Sequence, residues 1–325
     1  MQLKRGVFVK FAGLASLGGI VSAAGAAAAD DLKAVRVLSV PSDGAKSVLY
    51  AQKANLFRKR GLQADIAPMG SGAAIFAAVL GGSAEFGAGN LFAVFAAYAH
   101  NIPLRIVAPI AIYTSDHADT FLLVGTNSAI RSARDLNGKI LGTNDANDIS
   151  SLSTRAWMDS HGGDGKSLRM IELKATEQLA SLDAGRIDCA VLKPPYLTVA
   201  LESGKFRALG KPLDAIAPRF LLSCWVATLD YIAKNPEIVG AFAAGLAEAA
   251  RYTNANQAST IELVAAFSGQ DPAVLGHGVR SISAESIALP DVQRPLDFAY
   301  KYGLIDKSFD ASDVLAPYIP ASRGR

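Results

Sequence analysis

Short β-rich runs alternate with segments of helical periodicity in the first third of the chain. Helices are predicted over residues 46–61, 73–82 and 90–101, and the runs around them predict the strands VRVLSV, LQADIAP, AEFGAG and LRIVAPIAI. Because strands that alternate with helices build parallel sheets covered on both faces, this pattern predicts an α/β unit.

The same order restarts near residue 120. TFLLVGT predicts a strand, IRSARDLNGKILGTN a turn and a strand, and LRMIELKA and RIDCAVL two more strands. ISSLSTRAWMDSHGG and TEQLASLDAG predict the helices between the later strands. A further strand is predicted at FLLSCWVAT (220–228), and the chain reads mostly as helix from Asn235 onward. The pattern therefore indicates two α/β units followed by a helical tail.

One short pattern occurs in both units. Gly82 lies three residues before Glu85 in LGGSAEFG, and Gly185 lies three residues before Asp188 in LDAGRIDCA. With the matching strand–helix–strand order, this pattern indicates two lobes of similar topology.

The N-terminal segment has the composition of a secretory signal peptide. Lys4, Arg5 and Lys10 precede a glycine-broken apolar run, and Ala27–Ala29 offer a cleavage site of the A-x-A type. We therefore expect residues 1–29 to be a signal peptide and the remaining chain to be periplasmic. Removing three cations and no acid lowers the formal charge from +3 to 0. The rest of the chain carries no basic stripe, so nucleic acid is not an expected partner.

The motifs of several chemistries are absent from the sequence. No phosphate-binding loop, nucleophile elbow or metal-ligand cluster occurs, so we expect no catalytic residue, cofactor or metal ion. Ser115-Asp116-His117 is interpreted as a polar joint between the units, because triad members converge from separate loops. Cys189 and Cys224 are interpreted as small buried apolar residues, although an oxidising compartment would allow them to pair.

Small hydrogen-bonding residues follow several of the predicted strands. Such turns meet at the carboxyl ends of parallel strands, where ligands bind, and they present unpaired helix N–H groups. Each residue alone is also an ordinary helix cap, and a loop lysine is also an ordinary solvated residue. The candidate ligand-binding residues are Ser42, Asp43, Ser71, Gly72, Asn90, Thr143, Ser150 and Lys193.

Four motifs in order resemble the substrate-binding proteins of the nitrate/sulfonate/taurine ABC importers, which include related pyrimidine-precursor binders. The motifs are AQKANLFRKRGL, GSAEFG, DLNGK and AGRIDCA. Asn55 and Glu85 replace the usual glycine and aspartate, and Lys193-Pro194-Pro195 replaces a common Glu-Pro. We expect Asn55 to be tolerated because asparagine also adopts the left-handed conformation at a helix end.

The resemblance implies a two-lobed periplasmic-binding-protein fold of type II. Lobe 1 would hold residues 30–118 and 228–325, lobe 2 would hold 119–227, and crossovers would lie near 114–121 and 222–230. The implied protein is a monomer that encloses a small anionic or zwitterionic solute by hinge closure. It would deliver that solute to an ABC permease and its ATPase. Asp43 in the cleft would favour a ligand with an amine, such as taurine.

Other functions remain open at the sequence level. The alternatives are a binder of a thiamine-pyrimidine precursor and an enzyme resembling the pyrimidine synthase of the same superfamily, which would need a histidine and a lysine together in the cleft. A sensor domain would need a transmembrane segment and an effector, and the sequence shows neither.

Overall fold

The computed structural model describes residues 32–144, 146, 148–194, 196–317 and 321–322. The signal peptide predicted over residues 1–29 lies outside the described residues. Among the described residues, no helix has both the length and the apolar character that a membrane span requires.

Most strands coincide with the β-rich runs of the sequence. The strands are β1 (Lys33–Ser39), β2 (Leu62–Pro68), β3 (Phe86–Asn90), β4 (Leu104–Thr114), β5 (Phe121–Gly125), β6 (Ile140–Thr143), β7 (Arg169–Glu172), β8 (Cys189–Leu192), β9 (Phe206–Gly210), β10 (Arg219–Thr228), β11 (Ile282–Ser283), β12 (Ile287–Ala288) and β13 (Ala321–Ser322). β9 and the three short C-terminal strands were not predicted.

The helices fill the segments between these strands and most of the C-terminal third. They are α1 (Lys46–Lys53), α2 (Gly72–Leu80), α3 (Leu91–Ala99), α4 (Ile149–Ser160), α5 (Ala175–Asp183), α6 (Tyr196–Glu202), α7 (Leu229–Lys234), α8 (Pro236–Ala255), α9 (Ile261–Ser268), α10 (Pro272–His277) and α11 (Leu289–Lys301). Asn55 follows α1 with φ of 57°, so the left-handed conformation predicted for it is confirmed.

The two sheets have equivalent strand orders, apart from the additional edge strand β11 of the larger sheet. The larger sheet runs β11-β4-β10-β3-β1-β2, and the smaller runs β7-β6-β8-β5-β9. In each sheet three parallel strands form one side: β2, β1 and β3 in the larger sheet, and β7, β6 and β8 in the smaller. An antiparallel strand follows in each, β10 next to β3 and β5 next to β8.

The chain crosses from one sheet to the other immediately before each of these antiparallel strands. The chain leaves the larger sheet at Thr114 and starts β5 at Phe121, and it leaves the smaller sheet at Gly210 and starts β10 at Arg219. The second link is thus residues 211–218 rather than the predicted 222–230. The placement of 219–227 in lobe 2 was also wrong for this strand, because β10 pairs with β3 and β4 of the larger sheet. The rest of the division into lobes stays a prediction.

The pattern shared by Gly82–Glu85 and Gly185–Asp188 has a structural basis. Both glycines are left-handed, with φ of 71° and 67°, and end the helix before the third parallel strand. Glu85 accepts from the backbone N–H of Arg36 at 2.6 Å, and Asp188 accepts from that of Ile140 at 2.8 Å. In both sheets a carboxylate thus accepts a backbone N–H of the neighbouring parallel strand.

Apolar residues cover both faces of the larger sheet. Alternate residues of β10 belong to opposite clusters, with Cys224 and Val226 on one side and Trp225 and Ala227 on the other. Burial on both faces explains why β4 and β10 read as nearly continuous apolar runs. Cys189 and Cys224 are free buried thiols, and burial raises the pKa of each.

Two glycines of GSGAAIFAAVLGGSAEFGAGN, Gly87 and Gly89, allow close packing where α2 lies against β3. A Cβ at Gly87 would stand 2.5 Å from Ile75 Cγ2 and 2.8 Å from Val79 Cγ2. A methyl group there would therefore have to push α2 away from the sheet.

Gly87→Ala is expected to lower the free energy of unfolding by about 1 kcal/mol through this overpacking. Urea unfolding monitored by circular dichroism measures the effect. Gly70→Ala is the matched control, because nothing lies within 4 Å of its Cβ position. Equal stability of the two variants would contradict the packing role.

Candidate functional site

A cleft between the two sheets contains two adjoining cavities, of about 720 Å³ and about 360 Å³. The main cavity is lined by Ser42, Asn90, Phe92, Ala93, Ala96, Thr120, Thr143, Asn144, Asp148, Ile149, Ser150, Val191, Leu192, Lys193, Pro194, Tyr196 and Leu304. The side cavity is lined by Ser42, Asp43, Gly44, Asn90, Ala111, Asp119, Ile149, Lys193, Pro194, Leu222, Ser223, Gln270, Val274, Leu275, Gly278, Val279, Arg280 and Ser281.

Strand ends explain how the sequence brings these residues together. Strand β3 ends at Asn90 and strand β6 ends at Thr143. Ser42 follows the end of β1, and Lys193 follows the end of β8. The carboxyl ends of both sheets therefore face the cleft, which is where open α/β sheets bind ligands.

Two helix N-termini border the main cavity. The Asn90 side chain accepts from Ala93 N at 2.7 Å at the start of α3, and the Asp148 side chain accepts from Ser151 N at 2.7 Å at the start of α4. Each helix start presents backbone N–H groups with partial positive charge, which favour an anion or a polar oxygen.

Lys193 lines both cavities. It follows β8 directly, and its side chain is exposed and forms no ion pair with any described residue. Its ammonium group is thus a positive charge available to a ligand.

Thr143 and Ser150 reach the main cavity in different ways. Thr143 is 2% exposed, and its hydroxyl lies 2.6 Å from that of Ser151, so it braces the start of α4. Ser150 is half-buried in the first turn of α4, where its carbonyl oxygen accepts from Thr154 Oγ1 at 2.7 Å.

Asp43 borders the side cavity, but its carboxylate is already satisfied. Oδ1 accepts from Arg280 Nε at 2.7 Å, and Oδ2 accepts from Ser281 N at 2.8 Å and from Lys46 Nζ at 3.2 Å. Burial alone would raise the pKa of Asp43, but Lys46, Arg280 and Ser281 outweigh it and hold the pKa below its usual range. The expectation that Asp43 recognises an amine of the ligand therefore does not fit this geometry.

Burial lowers the pKa of Lys46, the lysine that pairs with Asp43, whereas it acts to raise the pKa of Asp43. The Lys46 side chain is fully buried, and its ammonium donates to Asp43 and to the carbonyl and hydroxyl oxygens of Ser281. The attraction of Asp43 offsets in part the effect of burial on the pKa of Lys46.

Ser71 and Gly72 line neither cavity. They stand at the start of α2, where the Ser71 hydroxyl accepts from Ala74 N at 3.2 Å as an ordinary helix cap. The preceding strand β2 is the outermost strand of the sheet, so its carboxyl end lies away from the centre of the cleft.

Several residues that line the cavities were not predicted from the sequence. Phe92, Tyr196 and Leu304 supply apolar walls, and Arg280 and Ser281 come from the C-terminal segment. Phe92 could have been found as a neighbour of Asn90, whereas nothing in the sequence links Arg280 to the strand ends.

The joint at Ser115-Asp116-His117 lies in the first link between the sheets. The Ser115 hydroxyl donates to Asp214 Oδ1 at 2.5 Å in the second link, and His117 pairs with Asp116 at 3.4 Å. Serine and histidine are therefore not arranged as nucleophile and base. No group of three or more potential ligands among the described residues could hold a metal ion.

Solved structures of several binding proteins are similar in fold to this chain. The chain is similar to the periplasmic aliphatic sulphonate binding protein SsuA from Escherichia coli, with 20% identity, a TM-score of 0.72, and 90% of this chain and 94% of that chain covered. It is similar to the alkanesulfonate-binding protein SsuA from Xanthomonas axonopodis pv. citri bound to MOPS, at 18% identity and a TM-score of 0.65, over 88% and 98% of the chains. The periplasmic nitrate-binding protein NrtA from Synechocystis PCC 6803 is 11% identical with a TM-score of 0.68, over 87% and 85%.

Two sheets that have equivalent strand orders apart from β11, are linked twice and face each other across a cleft have the fold of a type II periplasmic binding protein. The predicted fold class is confirmed. A family model described as "NMT1/THI5 like" matches residues 45–260. The chain belongs to the NMT1/THI5-like family. No protein with a curated description matches its sequence.

Proposed function

We propose that the protein is the periplasmic solute-binding component of an ABC importer. It captures a small anionic or zwitterionic solute of the sulfonate, taurine or nitrate class between its two lobes. Hinge closure then buries the solute, and a permease and its ATPase receive it from the closed protein. We expect the binding protein to act as a monomer.

The observation that carries this proposal is the cleft itself. Two helix N-termini, the Asn90 amide and the Lys193 ammonium meet there, in a cavity of about 720 Å³. Pockets of this size suit small organic ligands, and groups of this kind favour oxyanions. The fold likeness to proteins named for binding sulfonates and nitrate supports the same class of solute.

Lys193→Met is expected to weaken binding of an anionic solute at least tenfold, because it removes a positive charge at the cavity wall that forms no ion pair with the described residues. A thermal-shift screen with alkanesulfonates, taurine, nitrate and neutral pyrimidines selects the probe, since tight binding to the folded state raises its melting temperature. Calorimetric titration then gives the two dissociation constants.

Lys166→Met is the matched control, because Lys166 is an exposed lysine that lines neither cavity. It should bind the probe as the unchanged protein does. An unchanged affinity in Lys193→Met would remove Lys193 from the site, and shifts caused only by neutral pyrimidines would contradict the anionic solute.

The match to the NMT1/THI5-like family model favours keeping the pyrimidine-precursor binder as an alternative function. The residues of the cleft can be compared with those that an enzyme of this superfamily would need. That enzyme would need a histidine beside a lysine. The described walls of the two cavities include Lys193 but no histidine. The pyrimidine arm of the screen therefore tests this alternative as a binding function.

A further inference from the structure

The side chain of Gln178 is buried directly behind a residue that lines the main cavity. Gln178 belongs to α5 and is 0% exposed. It packs beside β6, where the Cβ position of Gly142 lies 3.6 Å from Gln178 Cγ. Its Nε2 donates to the backbone carbonyl of Leu173 at 3.0 Å and to Asn144 Oδ1 at 3.1 Å. Asn144 lines the main cavity and Gln178 does not, so Gln178 contacts the cavity wall from the protein interior.

The backbone carbonyl of Leu173 fixes which end of each amide is the donor. A carbonyl oxygen only accepts, so the amide nitrogen of Gln178 must face it. The same nitrogen meets Asn144, which must therefore turn its oxygen toward Gln178. Because Gln178 is buried and Asn144 is exposed at the cavity wall, Asn144 Nδ2 is the end of the amide that is left for the cavity. No residue in the described part of the chain accepts from this nitrogen.

Gln178 carries a cost for the fold that an apolar residue would not carry. Its Oε1 is buried and has no hydrogen-bond partner among the described residues. A buried acceptor without a partner is destabilising, whereas an apolar side chain of similar length would fill the same space without that penalty. Exceptions of this kind are expected where a residue supports a functional site, and the site that Gln178 contacts is the cavity wall at Asn144.

We propose that Gln178 is a positioning residue that holds Asn144 as a hydrogen-bond donor to the solute. This inference rests on the proposed function and deepens it, because the solute must then present an acceptor atom to Asn144. An oxyanion oxygen meets that requirement, and an ammonium group does not. The amine of a zwitterionic solute therefore lies elsewhere in the cleft. A donor whose orientation is fixed before binding favours affinity, because the solute does not have to order it.

The test is calorimetric titration of the full chain with ethanesulfonate, taurine and nitrate. Gln178→Glu is the main variant, because an ionised carboxylate only accepts and would turn Asn144 Nδ2 away from the cavity. Gln178→Met is the second variant, which fixes neither orientation of Asn144 and removes the unpaired oxygen. Gln52→Glu is the matched control: Gln52 Nε2 also donates to a backbone carbonyl, that of Ala64 at 3.0 Å, but Gln52 lines neither cavity.

Each probe that the unchanged protein binds is expected to bind Gln178→Glu about tenfold more weakly and Gln178→Met about threefold more weakly. The larger loss belongs to Gln178→Glu because that variant turns an acceptor toward the oxyanion, whereas Gln178→Met only frees the amide. Gln52→Glu should bind each probe within about twofold of the unchanged protein. Circular dichroism checks that each variant is folded.

A double-mutant cycle with Asn144→Ala separates positioning from a general structural role. If Gln178 acts through Asn144, then Gln178→Glu should change the affinity by less than about twofold once residue 144 is alanine. Damage to the fold would instead weaken binding by the same factor in both backgrounds. The side-chain amide signals of Asn144, assigned by their loss in Asn144→Ala, should also shift in the ¹H–¹⁵N spectrum when a probe binds the unchanged protein.

Three results would overturn the inference and leave the proposed function standing. They are a folded Gln178→Glu or Gln178→Met variant that binds its probe as tightly as the unchanged protein does, an equal loss with Gln178→Glu in both backgrounds of the cycle, and Asn144 amide signals that do not move on binding. Failure of the protein to bind any alkanesulfonate, taurine, nitrate or pyrimidine would contradict the proposed function and the inference together.

Discussion

Asp43→Asn is expected to lower the free energy of unfolding by about 3 kcal/mol at neutral pH. The substitution leaves Lys46 and Arg280 side by side, with side chains that are 0% and 8% exposed, and removes the carboxylate between them. Removing one partner of a buried ion pair is strongly destabilising because the other charge stays desolvated. Urea unfolding at pH 7 measures the difference.

The difference in the free energy of unfolding between Asp43→Asn and the unchanged protein should depend on pH. The folded-state pKa of Asp43 lies below its usual range, so its stabilising effect is fully present above about pH 4 and is lost as the pH falls through the folded value. The gap between Asp43→Asn and the unchanged protein should therefore narrow below about pH 4. A gap that stays constant from pH 7 to pH 3 would contradict the ion-pair explanation.

Asp183→Asn is the matched control for the substitution at Asp43. Asp183 pairs with Lys205 at 2.6 Å, but the two side chains are 48% and 60% exposed. Exposed ion pairs contribute little, so this variant should lose less than about 1 kcal/mol. A loss equal to that of Asp43→Asn would mean that burial is not what makes Asp43 important.

Asp214→Ala is expected to lower the free energy of unfolding by about 2 kcal/mol. Asp214 Oδ1 accepts from Tyr113 Oη at 2.7 Å and from Ser115 Oγ at 2.5 Å, which ties the second link between the sheets to the first. The substitution leaves the hydroxyl of Tyr113, a residue only 2% exposed, without its charged acceptor. Thermal and urea unfolding both report the loss.

The titration of Tyr113 distinguishes this bond from a general packing effect. Burial, followed by the hydrogen bond to Asp214, raises the pKa of Tyr113. Spectrophotometric titration of Asp214→Ala should show one tyrosine that ionises at lower pH than in the unchanged protein. Asp214→Asn, which keeps an acceptor oxygen, should lose less stability than Asp214→Ala, and equal losses would count against the hydrogen bond.

The strand ends were predictable because they depend on local sequence. An apolar run followed by polar residues marks Ser42, Asn90, Thr143 and Lys193, and the parallel order of the strands brings these four to one cleft. Ser71 follows the same local rule, but β2 lies at the edge of its sheet. The order of strands in a sheet depends on tertiary contacts, so it cannot be predicted from the local sequence around each strand.

Contacts between distant segments were beyond the sequence. Arg280 and Asp43 are 237 positions apart, and no periodicity or spacing connects them. The exchange of β5 and β10 between the sheets is hidden for the same reason, because an apolar strand reads alike whichever sheet it enters. Asp43 was therefore interpreted as a ligand contact, whereas its partners are Lys46, Arg280 and Ser281.

The crystal structure of the protein grown with saturating benzenesulfonate tests the central claim most directly. We predict that the sulfonate lies within hydrogen-bond distance of Lys193 Nζ, with the ring against Phe92 and Tyr196 in the main cavity. A sulfonate bound outside the cleft, or a cleft that stays empty at saturating benzenesulfonate, would contradict it.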